Sequence, residues 1–194
     1  HAERGPIGHF SAHQSLTGPA LEFLRLDGNR PQLPPDEEAP MFALLVGYQY
    51  RSAAVMTDAP APANPDDVLL VDELHGQPGT RVPHAWVCRD GKQVSTLDLL
   101  DTGFTVLTGQ DGDGWTDAVA TASAALGVPI SACRIGTGGD ADDPDGTWAA
   151  VTRLAPDGAL LVRPDDFVGW RADKLPADAE SALHQVLSTI LCRR

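Results

Sequence analysis

Three cysteines, Cys88, Cys133 and Cys192, are the residues whose chemistry would be easiest to recognise in this chain. They are widely spaced, they form no Cys-x-x-Cys pair, and their odd number does not suit a disulfide framework. Buried or idle thiols are typical of a reducing compartment, so we expect a cytoplasmic protein.

Two acidic stretches, which begin at Asp111 and Asp140, are superficially similar to calcium-binding loops. A twelve-residue loop of that kind needs oxygen ligands at positions 1, 3 and 5 and a glutamate at position 12. Position 12 is Ala122 when counted from Asp111, and it is Val151 when counted from Asp140. We therefore interpret both stretches as solvated acidic turns.

Other reactive side chains lack the neighbours that their chemistry requires. His9 and His13 have helical i, i+4 spacing, but no third metal ligand lies nearby in the sequence. Ser95 and Ser181 have no Gly-x-Ser-x-Gly context, which leaves a hydrolase triad unsupported. The glycine-rich run 136–139 does not have the Gly-x-Gly-x-x-Gly spacing of a dinucleotide cradle. The sequence thus predicts no catalytic, cofactor-binding or metal-binding residue.

The composition indicates one globular domain with an extension. The chain has 194 residues, of which 42% are hydrophobic, and a formal net charge of -13. That charge argues against nucleic acids and anionic membrane surfaces as partners. No apolar run approaches the roughly 20 residues that a membrane-spanning helix needs.

The elements that would position any site are clearest at the C-terminal end. Apolar residues 159–162 and 167–170 flank an Arg-Pro-Asp-Asp turn, which predicts a β-hairpin. Residues 176–191 have apolar side chains at helical spacing, an acidic start and a basic end, which predicts a closing helix.

The middle of the chain predicts alternating strands and helices. Asp90-Gly91 between β-prone runs predicts a second hairpin, and residues 103–108 predict a buried strand. A helix over 115–126 should end at Gly127, and a strand over 128–135 should follow. The tyrosines of residues 41–55 also suggest a strand. This order is that of a thioredoxin-like α/β domain with a central mixed sheet, whose core spans about residues 80–192.

In a redox-active thioredoxin, the nucleophilic cysteine lies at the start of the helix that follows the first buried strand. Residues 109–114 occupy that position here, and they contain no cysteine. Asp111 and Asp113 would raise the pKa of a thiol at this place rather than lower it. We therefore expect a redox-inactive domain.

Three motifs, in a fixed order, resemble those of the C-terminal domain of FAD-dependent aromatic hydroxylases, the phenol and polyketide ring hydroxylases. The first is a Gly-x-x-Tyr-x-Ser signature, the second is a Pro-Gly-x-Arg-x-Pro-His-x-Trp run, and the third is an Arg-Pro-Asp turn with a following Trp-Arg pair. The signature positions, to which we assign structural roles, are Gly47, Tyr48, Tyr50, Ser52, Pro83, His84, Trp86, Asp98, Arg163, Pro164, Asp165, Trp170 and Arg171.

The resemblance implies a division of the chain. Residues 1–40 would be the tail of a flavin domain and a linker, and residues 41–194 would be the thioredoxin-like C-terminal domain. The parent enzyme would use FAD and NAD(P)H, but the family's flavin-binding motifs are missing from this chain, which should not hydroxylate anything alone. Its partner would be the flavin-binding domain, and its role would be structural packing or support of a homo-oligomer.

Particular side chains have predicted roles. We expect His84 to be hydrogen-bonded inside a turn, although its motif would also allow it to reach a substrate or flavin. Arg163 and Asp98 could form a buried ion pair. Trp86, Trp148 and Trp170 are predicted to lie in the core or on packing surfaces.

Two other functions stay open. The main alternative is a free-standing, non-catalytic thioredoxin-like module that binds a protein partner, and a weaker one is a ligand-binding protein whose acidic face takes a cation. The N-terminal residues 1–16 are better explained as the tail of a flavin domain than as the start of an independent protein.

Overall fold

The computed structural model describes residues 46–57 and 69–193, so the expectations for residues 1–40 and for His9 and His13 lie outside it. The chain divides into two compact units. The first comprises 1–48 with 62–73, and the second comprises 49–61 with 74–194. The described part of the first unit contains a 3-10 helix, Val71–Glu73, and a hydrogen bond of 2.9 Å from the Leu69 N–H to the Gly47 carbonyl.

The second unit contains six strands and three α-helices among the described residues. In chain order they are β1 (Trp86–Arg89), β2 (Lys92–Ser95), β3 (Phe104–Thr108), α1 (Gly114–Leu126), β4 (Ile130–Arg134), α2 (Thr147–Thr152), β5 (Ala159–Val162), β6 (Val168–Ala172) and α3 (Ala179–Ile190). A 3-10 helix, Thr96–Leu99, follows β2 directly.

Four of the strands form one mixed sheet in the order β4-β3-β5-β6. Strands β3 and β4 are parallel, as a crossover through α1 requires, whereas β3 pairs with β5, and β5 with β6, in antiparallel fashion. Strands β1 and β2 form a separate hairpin. All five residues of β3 are buried, because this strand lies in the interior of the sheet.

Side chains on the two faces of the sheet form two apolar clusters. Leu161 joins Trp115, Leu183 and Leu187 in the cluster that contains residues of α1 and α3. Its neighbour Leu160 points to the opposite face, as alternation along a strand dictates, and lies in the cluster that contains residues of the β1–β2 hairpin and α2. The sheet is therefore covered on both sides.

Local signals define the helix ends. Helix α1 stops at Gly127, whose φ of 61° suits glycine, and the Asp178 carboxylate caps α3 by accepting from the Ser181 N–H at 2.9 Å. That hydrogen bond also lowers the pKa of Asp178. Helix α2 was not predicted because it is only six residues long. It begins where the Asp143 carboxylate accepts from the backbone N–H of Thr147 at 2.8 Å.

The predicted order of hairpin, strand, helix, strand, hairpin and closing helix is confirmed. The strand expected around Tyr48 and Tyr50 is wrong in the described residues, since residues 47–51 have no regular secondary structure. The Tyr50 N–H instead donates to the carbonyl of Gly79, and residues 52–55 form a turn. Within the described residues, no helix has the length and apolar character needed to cross a membrane.

Candidate functional site

The loop before α1, at the carboxyl end of β3, is the place where a thioredoxin-like fold would carry its nucleophile. Arg134, at the end of β4, joins this loop to the next one. Its guanidinium lies 3.3 Å from the Asp113 carboxylate and donates to the carbonyls of Gln110 at 3.0 Å and Gly138 at 2.6 Å. An arginine-centred network occupies the position, which provides rigidity but no nucleophile.

A cavity of about 220 Å³ lies beside this loop. Its walls include Gln110 and Gly136 from the carboxyl ends of the parallel strands, and Trp148 from α2. Trp148 is buried, and its indole N–H finds no acceptor among the described residues. The lining also includes Asp143, Thr137 and Thr152, but it contains no cysteine, serine or histidine and no second ionisable side chain beside Asp143.

The cysteine thiols do not supply a nucleophile for this place either. All three cysteines are free, and Cys133 is buried in β4. Burial, reinforced by the nearby Asp140 carboxylate and partly offset by Arg89, raises the pKa of the Cys133 thiol to about 11. A thiol with such a pKa stays protonated at neutral pH, whereas a nucleophilic cysteine needs a thiolate.

Arg171 of the Trp-Arg pair links three parts of the second unit. Its guanidinium donates to the carbonyls of His75 and Thr152 and, at 2.6 Å, to the Asp173 carboxylate. Its partner in the motif, Trp170, packs edge-on against Trp115 with ring centroids 5.8 Å apart. Both residues contribute to packing around β6.

The ion pair expected between Arg163 and Asp98 is not formed. Arg163 pairs with Asp165 across the β5–β6 turn at 2.6 Å and donates to the Ala54 carbonyl at 3.3 Å. Asp98 accepts instead from the Ser95 N–H at 2.9 Å, in the capping box of the 3-10 helix. Each charge has a partner within three residues in sequence, so local capping and turn geometry replace the long-range pair.

Pro164 and Asp165 lie in the turn between β5 and β6. The turn is closed by backbone hydrogen bonds from Arg163 to Phe167 at 2.8 Å and from Asp166 back to Arg163 at 3.0 Å. Asp166 has a φ of 66°, a left-handed conformation that aspartate tolerates better than most residues. The motif therefore encodes the geometry of a tight turn.

The Pro-Gly-x-Arg-x-Pro-His-x-Trp run is fastened to the start of β6. The Gly79 N–H donates to the Val168 carbonyl at 2.7 Å, the Val168 N–H donates to Thr80 at 2.8 Å, and the Val82 N–H donates to Asp166 at 2.9 Å. The buried Thr96 hydroxyl then donates to the Pro83 carbonyl at 2.9 Å. This segment is fixed from both sides.

The fixed segment presents some of its side chains outward. Val82, Pro83 and Ala85 are buried, whereas His84 and Trp86 are exposed. The ring of His84 packs edge-on against Trp86 at 4.8 Å, and it makes no hydrogen bond to the described residues. The prediction that His84 is hydrogen-bonded inside a turn is therefore wrong. Trp148 does lie in the core, but Trp86 does not.

The first signature is divided between the two units. Tyr50 packs edge-on against Phe167, with centroids 4.8 Å apart, and the Ser52 hydroxyl accepts from the Ala54 N–H at 3.2 Å. Gly47 and Tyr48 belong to the other unit. Two further contributing residues, Thr96 and Asp143, have no sequence signal, because Thr96 bonds to a distant carbonyl and Asp143 lies four residues before α2 rather than at its N-cap position.

Comparison with known proteins agrees with this geometry. Residues 75–193 match the family model for the C-terminal part of aromatic-ring hydroxylases. A tetracenomycin A2 monooxygenase-dioxygenase from Streptomyces glaucescens is 44% identical over 147 residues, which are 76% of this chain and 26% of the relative. A 4-methyl-5-nitrocatechol 5-monooxygenase from a Burkholderia species is 37% identical over 99% of this chain and 35% of its own length.

Solved structures give the same assignment. A ternary complex of aklavinone-11 hydroxylase with FAD and aklavinone superposes with a TM-score of 0.73 at 39% identity, covering 81% of this chain and 29% of that one. The flavin-dependent monooxygenase PieE, in complex with FAD and substrate, gives a TM-score of 0.67 at 38% identity, covering 77% and 26%. The chain spans about a quarter to a third of the length of these relatives. It belongs to the aromatic-ring hydroxylase C-terminal family.

Proposed function

We propose that this chain is the C-terminal, thioredoxin-like portion of an FAD-dependent monooxygenase that hydroxylates aromatic or polyketide rings. Its role is structural: it packs on the flavin-binding domain or supports oligomerisation, and it performs no catalysis alone. The observation that carries the proposal is that the signature side chains hold turns and segments together, as Arg171 does for His75, Thr152 and Asp173. We also propose a cytoplasmic location.

The size of the cavity beside α1 supports the proposal that FAD binds elsewhere in the parent enzyme. The cavity beside α1, at about 220 Å³, is below the roughly 300 Å³ at which pockets for drug-sized ligands begin, and FAD is larger than such ligands. The glycine loop before α1 is also closed, because a Cβ on Gly112 would lie 2.0 Å from the Thr108 hydroxyl. FAD and NAD(P)H are therefore assigned to the parent enzyme, outside these residues.

A free-standing interaction module is the second candidate. The observation in its favour is that the second unit has its own two-sided core, with Leu107, Leu160 and Leu161 fully buried. Such a core meets the basic requirement of an independent domain. The acidic face offers less support for cation binding, since no cluster of three or more His, Cys, Asp or Glu side chains among the described residues is placed to hold a metal.

Intact-mass and absorbance analysis of the protein purified from its native host tests the proposal. A yellow sample, in which this sequence is joined to a flavin-binding polypeptide or co-purifies with one, is expected. A colourless species of 20.5 kDa that gains no flavin absorbance on addition of FAD would favour the free-standing module.

A further inference from the structure

The exposed apolar side chains of the second unit are concentrated along one motif. Among its described residues, the large hydrophobic side chains that are strongly exposed are Trp86 at 54%, Tyr50 at 50% and Leu97 at 45%. The Tyr50 N–H donates to Gly79, and Thr96, beside Leu97, donates its N–H to the Ala85 carbonyl. All three therefore lie beside residues 79–86.

Positive charge accompanies these side chains. The guanidinium of Arg81 lies 5.1 Å from the centre of the Phe167 ring, which Tyr50 also contacts, and His84 packs on Trp86. Residues 81–86 contain no carboxylate, but exposed carboxylates border them, since Asp98 follows Leu97 and the Asp166 carbonyl accepts from the Val82 N–H. We call Tyr50, Arg81, His84, Trp86 and Leu97 the exposed strip. Its side chains are aromatic or apolar, with a single guanidinium at Arg81.

The backbone beneath the strip is rigid. Hydrogen bonds to β6 hold residues 79–82, and the Thr96 hydroxyl holds residues 83–85 by donating to Pro83 and accepting from the Ala85 N–H at 3.0 Å. A backbone that is ordered before binding loses little conformational entropy on association. Exposed tryptophan, tyrosine and arginine on a fixed backbone are also the residue types enriched at the energetic centres of interfaces.

We propose that the exposed strip is the surface through which this chain docks on the flavin-binding part of its parent monooxygenase. This inference rests on the proposed function and adds the location of the contact. The chain spans 26% of the tetracenomycin relative, which leaves about three quarters of that protein outside the matched part. The partner surface is expected to be apolar, with carbonyl or carboxylate acceptors opposite Arg81. A second copy is a poorer occupant, because two chains of charge -13 repel each other.

Hydrogen exchange tests the docking surface. The chain is measured alone and after fusion to the flavin-binding part of the tetracenomycin A2 monooxygenase-dioxygenase, in place of that protein's own C-terminal part. We expect exchange of the amides in residues 84–87 and 97–98 to slow by about tenfold or more in the fusion, whereas that of α3 should change little.

Variants make the test specific. Trp86→Ala and His84→Ala should each reduce the added protection and lower the temperature at which the fusion releases FAD. Neither should change the melting temperature of the chain alone, since both side chains are exposed. His184→Ala, which changes an exposed histidine on α3, is the matched control for His84→Ala and should have neither effect.

The outcomes separate the two proposals. A fusion that retains FAD but gains protection elsewhere would overturn the docking surface and leave the proposed function standing. A fusion that loses FAD, while this chain within it keeps its own exchange pattern, would overturn both. The exchange of the strip in the unfused chain could also slow as the protein concentration rises. That result would identify a second copy as the occupant and would also overturn the inference.

Discussion

Arginine side chains make several of the long-range hydrogen bonds in the second unit. Arg171 connects β6 to the last residue of α2, Thr152, and to His75, and Arg134 connects the loops that follow β3 and β4. A planar guanidinium can donate to several acceptors at once, which an ammonium group cannot do with the same geometry. The family signature at Arg171 is therefore explained by hydrogen bonding rather than by charge alone.

Replacement of Arg171 by lysine tests this explanation. We expect Arg171→Lys to lower the free energy of unfolding by about 2 to 3 kcal/mol, because carbonyls that Arg171 satisfies, including that of the buried Thr152, would lose a charged donor. Urea unfolding followed by circular dichroism measures the change. The exposed Arg153→Lys is the control, and an equal loss in both variants would contradict the role of Arg171.

Cys133 gives the stability a dependence on alkaline pH. Its pKa is raised from 9.0 to about 11 in the folded chain, so the unfolded chain ionises first. The stabilisation that this difference provides is complete below pH 9 and is lost as the pH rises through 11. Chemical unfolding at a series of pH values should show that the wild-type chain loses more stability over this window than Cys133→Ala. If the free energy of unfolding of the two proteins fell in parallel with pH, Cys133 would not be the cause of the alkaline loss.

At the scale of elements, the segment 79–82 decides how the signature motif is attached. Gly79 has a φ of 90°, and a Cβ there would lie 2.1 Å from the Tyr50 carbonyl oxygen, so this position needs glycine for both its conformation and its close contact. Gly91 in the β1–β2 turn also has a positive φ, 71°, but a Cβ there would meet nothing within 4 Å. A comparison of alanine substitutions at Gly79 and Gly91 therefore separates the cost of steric crowding from the cost of the left-handed backbone conformation.

The expected result follows from that difference. Gly91→Ala should cost about 1 kcal/mol, which reflects the left-handed conformation alone. Gly79→Ala should cost at least about 2 kcal/mol more, since the Gly79 N–H and carbonyl both make backbone hydrogen bonds that the added methyl group would displace. Thermal and urea unfolding of the two variants checks this, and equal costs would show that the contact with Tyr50 relaxes easily.

The elements that the sequence predicted correctly are those with strong local signals. Helix α1 has a regular apolar face and a glycine stop, and the β1–β2 hairpin has an Asp-Gly turn, so both could be placed to within about two residues. The partner of Arg163 could not be predicted, because a charge selects among several carboxylates only after the turn is folded. The exposure of Trp86 could not be predicted either, since apolar character alone does not show which face of a hairpin is covered.

At the scale of the whole molecule, the described residues of the second unit have apolar clusters on both faces of the sheet and contain no recognisable reaction centre. The place where a related fold would hold a reactive thiol contains the Arg134–Asp113 pair, and the most exposed aromatic side chain, Trp86, lies on the signature motif. The family relationship and the rigid, outward-facing strip together favour a role in holding a larger flavoprotein together.

The domain should also fold without a partner. Leu187 of α3 is fully buried in the cluster that contains Trp115 of α1, so Leu187→Ala should lower the free energy of unfolding of the isolated chain by about 2 to 5 kcal/mol. Calorimetry of the isolated chain measures this loss. An isolated chain without a cooperative transition would show that the core depends on its partner.

Our central proposal is that this chain stabilises the flavin-binding part of its parent enzyme. It is tested most directly by the temperature at which FAD fluorescence appears on heating, measured for the flavin-binding part of the tetracenomycin relative with and without this chain fused to it. We expect a clearly higher release temperature in the fusion. Release at the same temperature in both proteins would contradict it.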